Sequence, residues 1–236
     1  MAVVKVQSIS GSGATIVLNG CVAANALVML DSYFRTTGTG VGEATPTDSN
    51  GTFSVASADA PAGFAGGTND VGVGIFYQQN IASGTHTVTP QANTEIHATL
   101  TEYSGLSTTG MFAAGSVKSA KTAETNHTSQ VTGTTTTAAA VGDLATITFC
   151  IAASPGAANI GLTDPVTNYT TLHIAQDDAT SVAREQSFRV LTSGGTQSAT
   201  FNWTDASASQ SSHAAIATFV AVSAVINIIL MGQACL

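Results

Sequence analysis

The sequence predicts an all-β protein, an antiparallel β-sandwich in which one strand pattern occurs twice. Charged residues make up only 8% of the 236 positions, and hydrophobic residues make up 44%. The polar positions are filled mainly by Thr, Ser, Asn and Gly; Thr and Val favour strands, whereas the Lys and Glu that cover helix surfaces are scarce. No apolar stripe at i, i+3, i+4 spacing is flanked by caps and charges, so we expect no long helix.

The strand pattern is found in residues 14–106 and again in residues 131–221. Each stretch has five segments in one order: an apolar strand, a turn opening with Thr-Asp, a mixed aromatic and polar strand, a glycine-led strand and a strand beginning with His. The segments are 25–30, 47–53, 73–77, 83–89 and 97–103 in the first stretch, and 143–149, 163–169, 185–190, 194–200 and 213–219 in the second. This order indicates a duplicated unit or one motif used twice.

The pattern divides the chain into four segments. Residues 1–106 form the first β repeat, and residues 131–221 form the second. Residues 107–130 are polar and small, and we expect a linker or crossing connection there. Residues 222–236 form an apolar C-terminal tail. The length suits one large sandwich or two small ones, and the sequence leaves both open.

The charge distribution argues against a nucleic-acid partner. The chain has 14 acidic and 6 basic residues, and its formal net charge is −8. The basic residues are scattered and form no stripe that could neutralise phosphates. The first residues lack a basic region followed by an apolar one, so we expect synthesis in a cytoplasm without a secretory signal.

Candidate chemical groups show no catalytic or metal-binding spacing. Gly-x-Ser-x-Gly is absent, and the run from Asp48 to Gly51 lacks the Glu that closes a calcium loop, so it predicts a turn. No zinc motif includes any of the five histidines, His86, His97, His127, His173 and His213. We therefore expect a protein that is not an enzyme and needs no cofactor or metal.

The apolar tail is the candidate interaction site. It is too short, and with Asn227 too polar, for a membrane span of about 20 residues, so we expect no membrane partner. A β-branched run of this kind needs burial, either in its own sandwich or against a neighbouring subunit. The candidate interface residues are Val225, Ile226, Ile228, Ile229 and Leu230, with Cys235 as a possible intermolecular cross-link. The other two cysteines, Cys21 and Cys150, are expected to be buried free thiols.

Two runs resemble a widespread β-sandwich module of bacteria and phages. Residues 81–89 form a glycine-led Thr/Val strand, and residues 101–106 include Glu-Tyr-Ser-Gly. The resemblance spans most of residues 3–221 and implies a jelly-roll-type sandwich of the kind found in secreted multidomain proteins and phage virions. Without a signal sequence or an attached catalytic domain, it implies a virion component made in the host cytoplasm, such as a capsid decoration (cement) protein. Its partners would be copies of itself and the major capsid protein or another virion protein.

Two alternatives remain open. A carbohydrate-binding module for cell-surface glycans would present Tyr77, Tyr103, Tyr169 or Trp203 on a sheet face beside acidic residues. A glycan-cleaving enzyme would need two carboxylates about 5–10 Å apart in a cleft.

Overall fold

The chain folds as an all-β protein, as the composition predicts. The computed structural model describes residues 2–12, 15–35, 45–57, 62–64, 68–90, 95–125, 127–153, 160–162, 166–177, 182–204 and 210–222. These ranges contain eighteen strands and no helix, and so no helix long and apolar enough to cross a membrane.

Residues of the first half form one large and one small antiparallel sheet. The large sheet has the order β1–β10–β3–β8–β6, with β7 also paired to β8, and the small sheet has the order β2–β9–β4–β5. The strands are β1 Val4–Gly11, β2 Ile16–Cys21, β3 Ala26–Arg35, β4 Thr47–Asp48, β5 Gly51–Thr52, β6 Ser54–Ser57, β7 Ala62–Phe64, β8 Thr68–Gln78, β9 Gly84–Thr89 and β10 Glu95–Ser104.

The second half forms a second pair of sheets. Its large sheet has the order β11–β18–β13–β16–β15, and its small sheet has the order β12–β17–β14. The strands are β11 Val117–Thr125, β12 Ser129–Val131, β13 Leu144–Ala153, β14 Gly161–Leu162, β15 Thr170–Asp177, β16 Val182–Val190, β17 Thr200–Thr204 and β18 Gln210–Phe219.

The four sheets stack as two sandwiches joined through their large sheets. One apolar core lies between the sheets of the first half and includes Met29 and Leu100, and another lies between the sheets of the second half and includes Phe149 and Trp203. A third core lies between the two large sheets and takes side chains from both. Because β13 and β18 lie in a middle layer, all ten residues of each strand are buried. Such strands read as nearly continuous apolar or small residues.

Polar side chains also join the two large sheets. Gln186 Nε2 donates to the carbonyl oxygens of Leu30 and His97, both at 3.0 Å. Thr99 Oγ1 donates to Gln186 Oε1, and Thr148 Oγ1 donates to the carbonyl of Asp31 at 3.0 Å. A buried polar group loses its hydrogen bonds to water, and these contacts replace them. These hydrogen bonds also favour one relative position of the two large sheets, because a shift of one sheet along the other would leave the polar groups unpaired.

Strand β11 lies within residues 107–130, the stretch that the sequence predicts to be a linker or crossing connection. Residues 117–125 form this strand at the edge of the second large sheet, paired antiparallel with β18, and only residues 107–116 cross between the halves. The small and polar residues of this stretch favoured a linker, and its only basic residues, Lys118 and Lys121, lie on β11. Lysine is also a residue that edge strands use to prevent unwanted pairing.

Two glycines in strands should respond differently to a methyl group. A Cβ on Gly72 would lie 2.1 Å from Tyr33 Cε1, and Tyr33 is fully buried. A Cβ on Gly11 would meet only Ile16 Cγ1, at 3.7 Å. We expect Gly72→Ala to lower the free energy of unfolding by about 2–3 kcal/mol and Gly11→Ala by less than about 0.5 kcal/mol. Urea denaturation checks both, and equal effects would contradict this packing of Tyr33.

Candidate functional site

The interface residues predicted from the sequence, Val225, Ile226, Ile228, Ile229, Leu230 and Cys235, lie outside the described residues. The structure does describe the residues that precede them, up to Val222. The last described residue, Val222, is 39% exposed, and its amide donates to the carbonyl of Gly105 at 2.8 Å. The amide of Ala221 donates to Asp143 Oδ1, also at 2.8 Å. The tail therefore starts from a fixed position on the protein surface.

Strand β1 begins beside this position. Val4 pairs with Ser104, the residue before Gly105. Gly105 has a φ of +79°, and a Cβ on it would lie 2.3 Å from the carbonyl oxygen of Ala2. The exit of the tail and the start of β1 thus meet at one glycine that admits no side chain.

Strand β1 exposes apolar side chains along a sheet edge. It pairs with β10 on one side and, within the described ranges, with no strand on the other. Val4, Val6 and Ile9 are 53%, 45% and 39% exposed. An open edge with apolar side chains is a template for strand addition, although the bulge between Lys5 and Gln7 limits pairing near its start.

Cys21 and Cys150 are buried free thiols, which confirms that prediction. Burial, with contributions from Glu102 and Asp48, raises the pKa of Cys21 to about 11. A thiol with this pKa is protonated at neutral pH and is a poor nucleophile. Cys150 Sγ lies 3.5 Å from the carbonyl oxygen of Tyr33 in the central core, so both thiols are structural.

Asp48 and His86 form a buried pair in the first sandwich. His86 Nδ1 lies 2.6 Å from Asp48 Oδ2, and His86 Nε2 lies 3.0 Å from the carbonyl oxygen of Ala82. Both ring nitrogens of His86 therefore lie within hydrogen-bond distance of an oxygen atom. Gln78 Nε2 donates to the same Asp48 oxygen at 2.9 Å. The pair joins β4 to β9, and Ser49 and Asn50 form the turn that the sequence predicts.

His127 and Ser212 also lie in contact but with the wrong polarity for a nucleophile. Ser212 Oγ donates to Gln130 Oε1 at 2.8 Å, so its proton points away from the histidine. His127 Nε2, at 2.7 Å from Ser212 Oγ, then acts as the donor. A serine nucleophile instead donates to its general base, and Ser212 is fully buried. The contact stabilises the packing of His127 against Trp203.

Three other histidines face the space between the two large sheets. The rings of His97 and His173 stack with centroids 3.5 Å apart, and Nε2 of each is buried without a hydrogen-bond partner. His213 is fully buried, and neither of its ring nitrogens has a partner. Burial lowers the pKa of all three, to about 4 for His97 and His213. Groups of three or more metal-ligating side chains are absent from the described ranges.

The aromatic residues proposed for sugar stacking are mostly internal. Tyr103 and Trp203 are buried in apolar cores, and Tyr77 packs against Phe112 and Phe219. Tyr169 is half-buried beneath the guanidinium of Arg189, with 4.6 Å from Arg189 Cζ to the ring centroid. None of these four rings forms a platform of the kind that a sugar-stacking face requires.

One pocket of about 430 Å³ lies next to Arg189, at the end of β16 and the start of the loop that follows. It is lined by Asn168, Arg189, Val190, Leu191, Thr192 and Ser193. Arg189 Nη2 donates to Gln197 Oε1 at 2.6 Å. Sequence reasoning missed this site, because Arg189 is one of six scattered basic residues with no motif around it.

No protein-family model, curated protein or solved structure matches this chain.

Proposed function

We propose that this protein is a non-enzymatic structural component of a phage virion, a capsid decoration (cement) protein that works as a homo-oligomer. The proposal combines the resemblance of residues 81–89 and 101–106 to virion sandwich modules with the geometry where the tail begins. The observation that supports it most is the exposed apolar edge of β1 beside that position. The side chains that could suggest catalysis, Asp48, His86, His127 and Ser212, make contacts that hold strands together.

The proposed contact is strand addition between copies. The tail of one copy, residues 225–230, pairs with β1 of the next and covers Val4, Val6 and Ile9. The 14 residues after Val222 extend to about 46 Å, and the eight residues of β1 span about 27 Å, so the tail has the reach to pair with a neighbour. Main-chain hydrogen bonds along the edge then supply affinity, and buried apolar side chains supply specificity.

The finer fold assignment is part of the same proposal: each half is a jelly-roll-type sandwich, and the two arose from one unit. In the first half, β1 pairs with β10, β2 with β9, β3 with β8 and β4 with β5, which is the nesting of a rolled hairpin. The two large sheets have the same order, edge strand first and last strand second. Tyr103 and His97 stand opposite Ala26 and Ser32, as Phe219 and His213 stand opposite Leu144 and Cys150.

Removal of residues 225–236 tests the assembly. We expect the full chain to form oligomers and the truncated chain to be a folded monomer, by light scattering and by a cooperative thermal unfolding transition. An unfolded truncated chain would instead place the tail in its own core, and a truncated chain that stays oligomeric would place the interface elsewhere. Either result would overturn the proposed contact.

A point variant tests whether the tail pairs with the exposed edge of β1, without shortening the chain. Val6→Lys adds a charge to the β1 edge and should weaken oligomerisation at least tenfold. Val131→Lys makes the same change at a valine that is equally exposed, at 45%, on β12 of the small sheet, and should leave the oligomer intact. Equal effects of the two variants on oligomerisation would argue against β1 as the strand with which the tail pairs.

The virion assignment needs particles. Negative-stain microscopy of the phage particles that form in cells producing this chain, with immunogold labels against it, should show the label on the capsid. Particles that lack the label would contradict the assignment whatever the oligomeric state of the purified protein.

A further inference from the structure

We propose that the pocket beside Arg189 binds a sugar that bears a carboxylate, of the uronic-acid or sialic-acid class. The carboxylate contacts the Arg189 guanidinium, and the sugar hydroxyls contact Asn168, Thr192 and Ser193. The pocket lies wholly on described residues of the second sandwich, and binding there does not depend on residues 225–236.

The charge of Arg189 is the first argument. Across the described residues, Arg189 contacts a neutral amide, Gln197, and an aromatic ring, Tyr169, but no carboxylate. The chain has 14 acidic and only 6 basic residues, so an arginine without an acidic partner is unexpected. A half-buried cation loses hydration, and an anionic ligand would compensate for that loss.

The guanidinium is also held in place before any ligand arrives. Its Cζ lies over the Tyr169 ring, and its Nη2 donates a hydrogen bond to Gln197 Oε1. Gln197 is itself fixed by two hydrogen bonds. Its backbone N–H donates to Thr135 Oγ1 at 2.9 Å, and its side-chain Nε2 donates to the carbonyl of Gly195 at 2.9 Å. A binding group whose supporting contacts are already made loses little entropy when the ligand binds.

The size and remaining lining of the pocket favour a sugar over a simple anion. A volume of about 430 Å³ lies in the range of small-molecule sites, and a carboxylate alone would fill a small part of it. An amide and two hydroxyls, from Asn168, Thr192 and Ser193, line the rest and can exchange hydrogen bonds with ring hydroxyls. The nearby Asp143 carboxylate does not compete for the arginine, since it accepts from the amides of Ala140 and Ala221.

Calorimetric titration of the full chain tests the site with four probes: glucuronic acid, N-acetylneuraminic acid, glucose and sodium acetate. We expect one of the two acidic sugars to bind at least tenfold more tightly than both glucose and acetate. Equal binding of acetate and the acidic sugars would mean a plain anion site and would overturn the sugar assignment. Equal binding of glucose would overturn the role of the charge, and no binding of either acidic sugar would overturn the proposal.

Three variants assign the binding to this pocket. Arg189→Gln should weaken binding of the acidic sugar at least tenfold, whereas Lys118→Gln removes the same charge from β11 and should leave it unchanged. Asn168→Gly deletes the amide but keeps the backbone relaxed, because Asn168 already has a φ of +68°; it should weaken binding severalfold without loss of the fold. Binding that survives both pocket variants, with folding verified by circular dichroism, would place the ligand elsewhere and overturn the proposal.

Discussion

Acidification from pH 7 to pH 4 is expected to lower the free energy of unfolding by about 3 kcal/mol or more, chiefly through three histidines between the large sheets. Burial, with a smaller effect of Lys121, lowers the pKa of His213 to about 4. Burial, with His173 and Arg184, lowers the pKa of His97 to about 4. Burial also lowers the pKa of His173, with Arg184 adding to the effect.

The direction of this change in stability follows from the pH range over which the folded and unfolded states bind protons. Above pH 6.5 the rings are neutral in both states, so they add no pH dependence. Below pH 6.5 the unfolded chain takes up protons that the folded chain does not, and stability falls until the folded His97 and His213 rings titrate near pH 4. For His213 the gap between 6.5 and about 4 corresponds to about 3 kcal/mol. His97 contributes less than its pKa implies, because its ring is only half-buried.

One carboxyl group opposes the histidines. Burial raises the pKa of Glu185, although hydrogen bonds from Val166 and Ser187 partly offset the effect. The folded state therefore takes up this proton before the unfolded state does, and stability is gained as the pH falls through the folded pKa of Glu185. One such group reduces the effect of three histidines but does not cancel it.

Urea denaturation between pH 4 and pH 8 measures the effect. Trp203 is the only tryptophan and is buried in the second sandwich, so its fluorescence reports unfolding. His213→Leu removes a buried ring without hydrogen-bond partners and should reduce the loss of stability on acidification by about 3 kcal/mol. Stability that is independent of pH from 6.5 to 4, or a His213→Leu variant with the same pH dependence as the parent chain, would contradict this account.

The fold class could be predicted because it depends on composition and on alternation along the chain. The apolar runs at 25–30 and 143–149 fall within or beside β3 and β13, and both runs that begin with His fall within β10 and β18. The buried state of Cys21 and Cys150 followed from their apolar neighbours. These are local properties, and a sequence contains them directly.

The stacking of the sandwiches could not be predicted in the same way. Thr146 and Thr148 alternate with apolar residues on β13, a pattern typical of a solvent-facing side, yet both are fully buried against the first sandwich. The pattern identifies two faces of a strand, but it does not say whether water or a second sheet covers the polar one. The low charge of the chain was the only hint, since a threonine is cheaper to bury than a lysine.

The contacts between side chains depend on pairings far apart in sequence. Asp48 and His86 are 38 positions apart, and Gln186 reaches a carbonyl 156 positions away. No short motif marks either pair. Arg189 became a candidate binding residue only when the fold placed Asn168 and Ser193 beside it.

Glu102→Ala is expected to lower the free energy of unfolding by about 3–5 kcal/mol. Glu102 is fully buried, and its carboxylate accepts from the amide of Val22 at 2.8 Å, Asn25 Nδ2 at 2.6 Å and Gln7 Nε2 at 2.7 Å. These donors belong to β1 and to the connection from β2 to β3, so one carboxylate joins three parts of the first sandwich. Alanine leaves all three donors without their acceptor.

Two further variants separate the charge from the hydrogen bonds. Glu102→Gln keeps an oxygen for Val22 and Asn25, and Gln7 can rotate its amide to accept from the new NH₂ group, so we expect a loss of about 1–2 kcal/mol. Gln7→Ala removes one donor at a partly exposed position and should cost about 1 kcal/mol or less. Differential scanning calorimetry of the three variants should rank them in this order. A Glu102→Ala protein within about 1 kcal/mol of the parent chain would mean that water replaces the carboxylate.

The second sandwich offers a control position for Glu102, because the two large sheets pair in the same register. Glu102 stands opposite Leu27, and at the corresponding position of the second large sheet Thr218 stands opposite Ala145. Thr218 Oγ1 donates to the carbonyl of Ser116 at 3.4 Å, a single contact in place of three. Thr218→Ala should therefore cost about 1 kcal/mol or less, and it is the matched control for Glu102→Ala. Equal losses would show that burial at this register, and not the three donors, determines the effect.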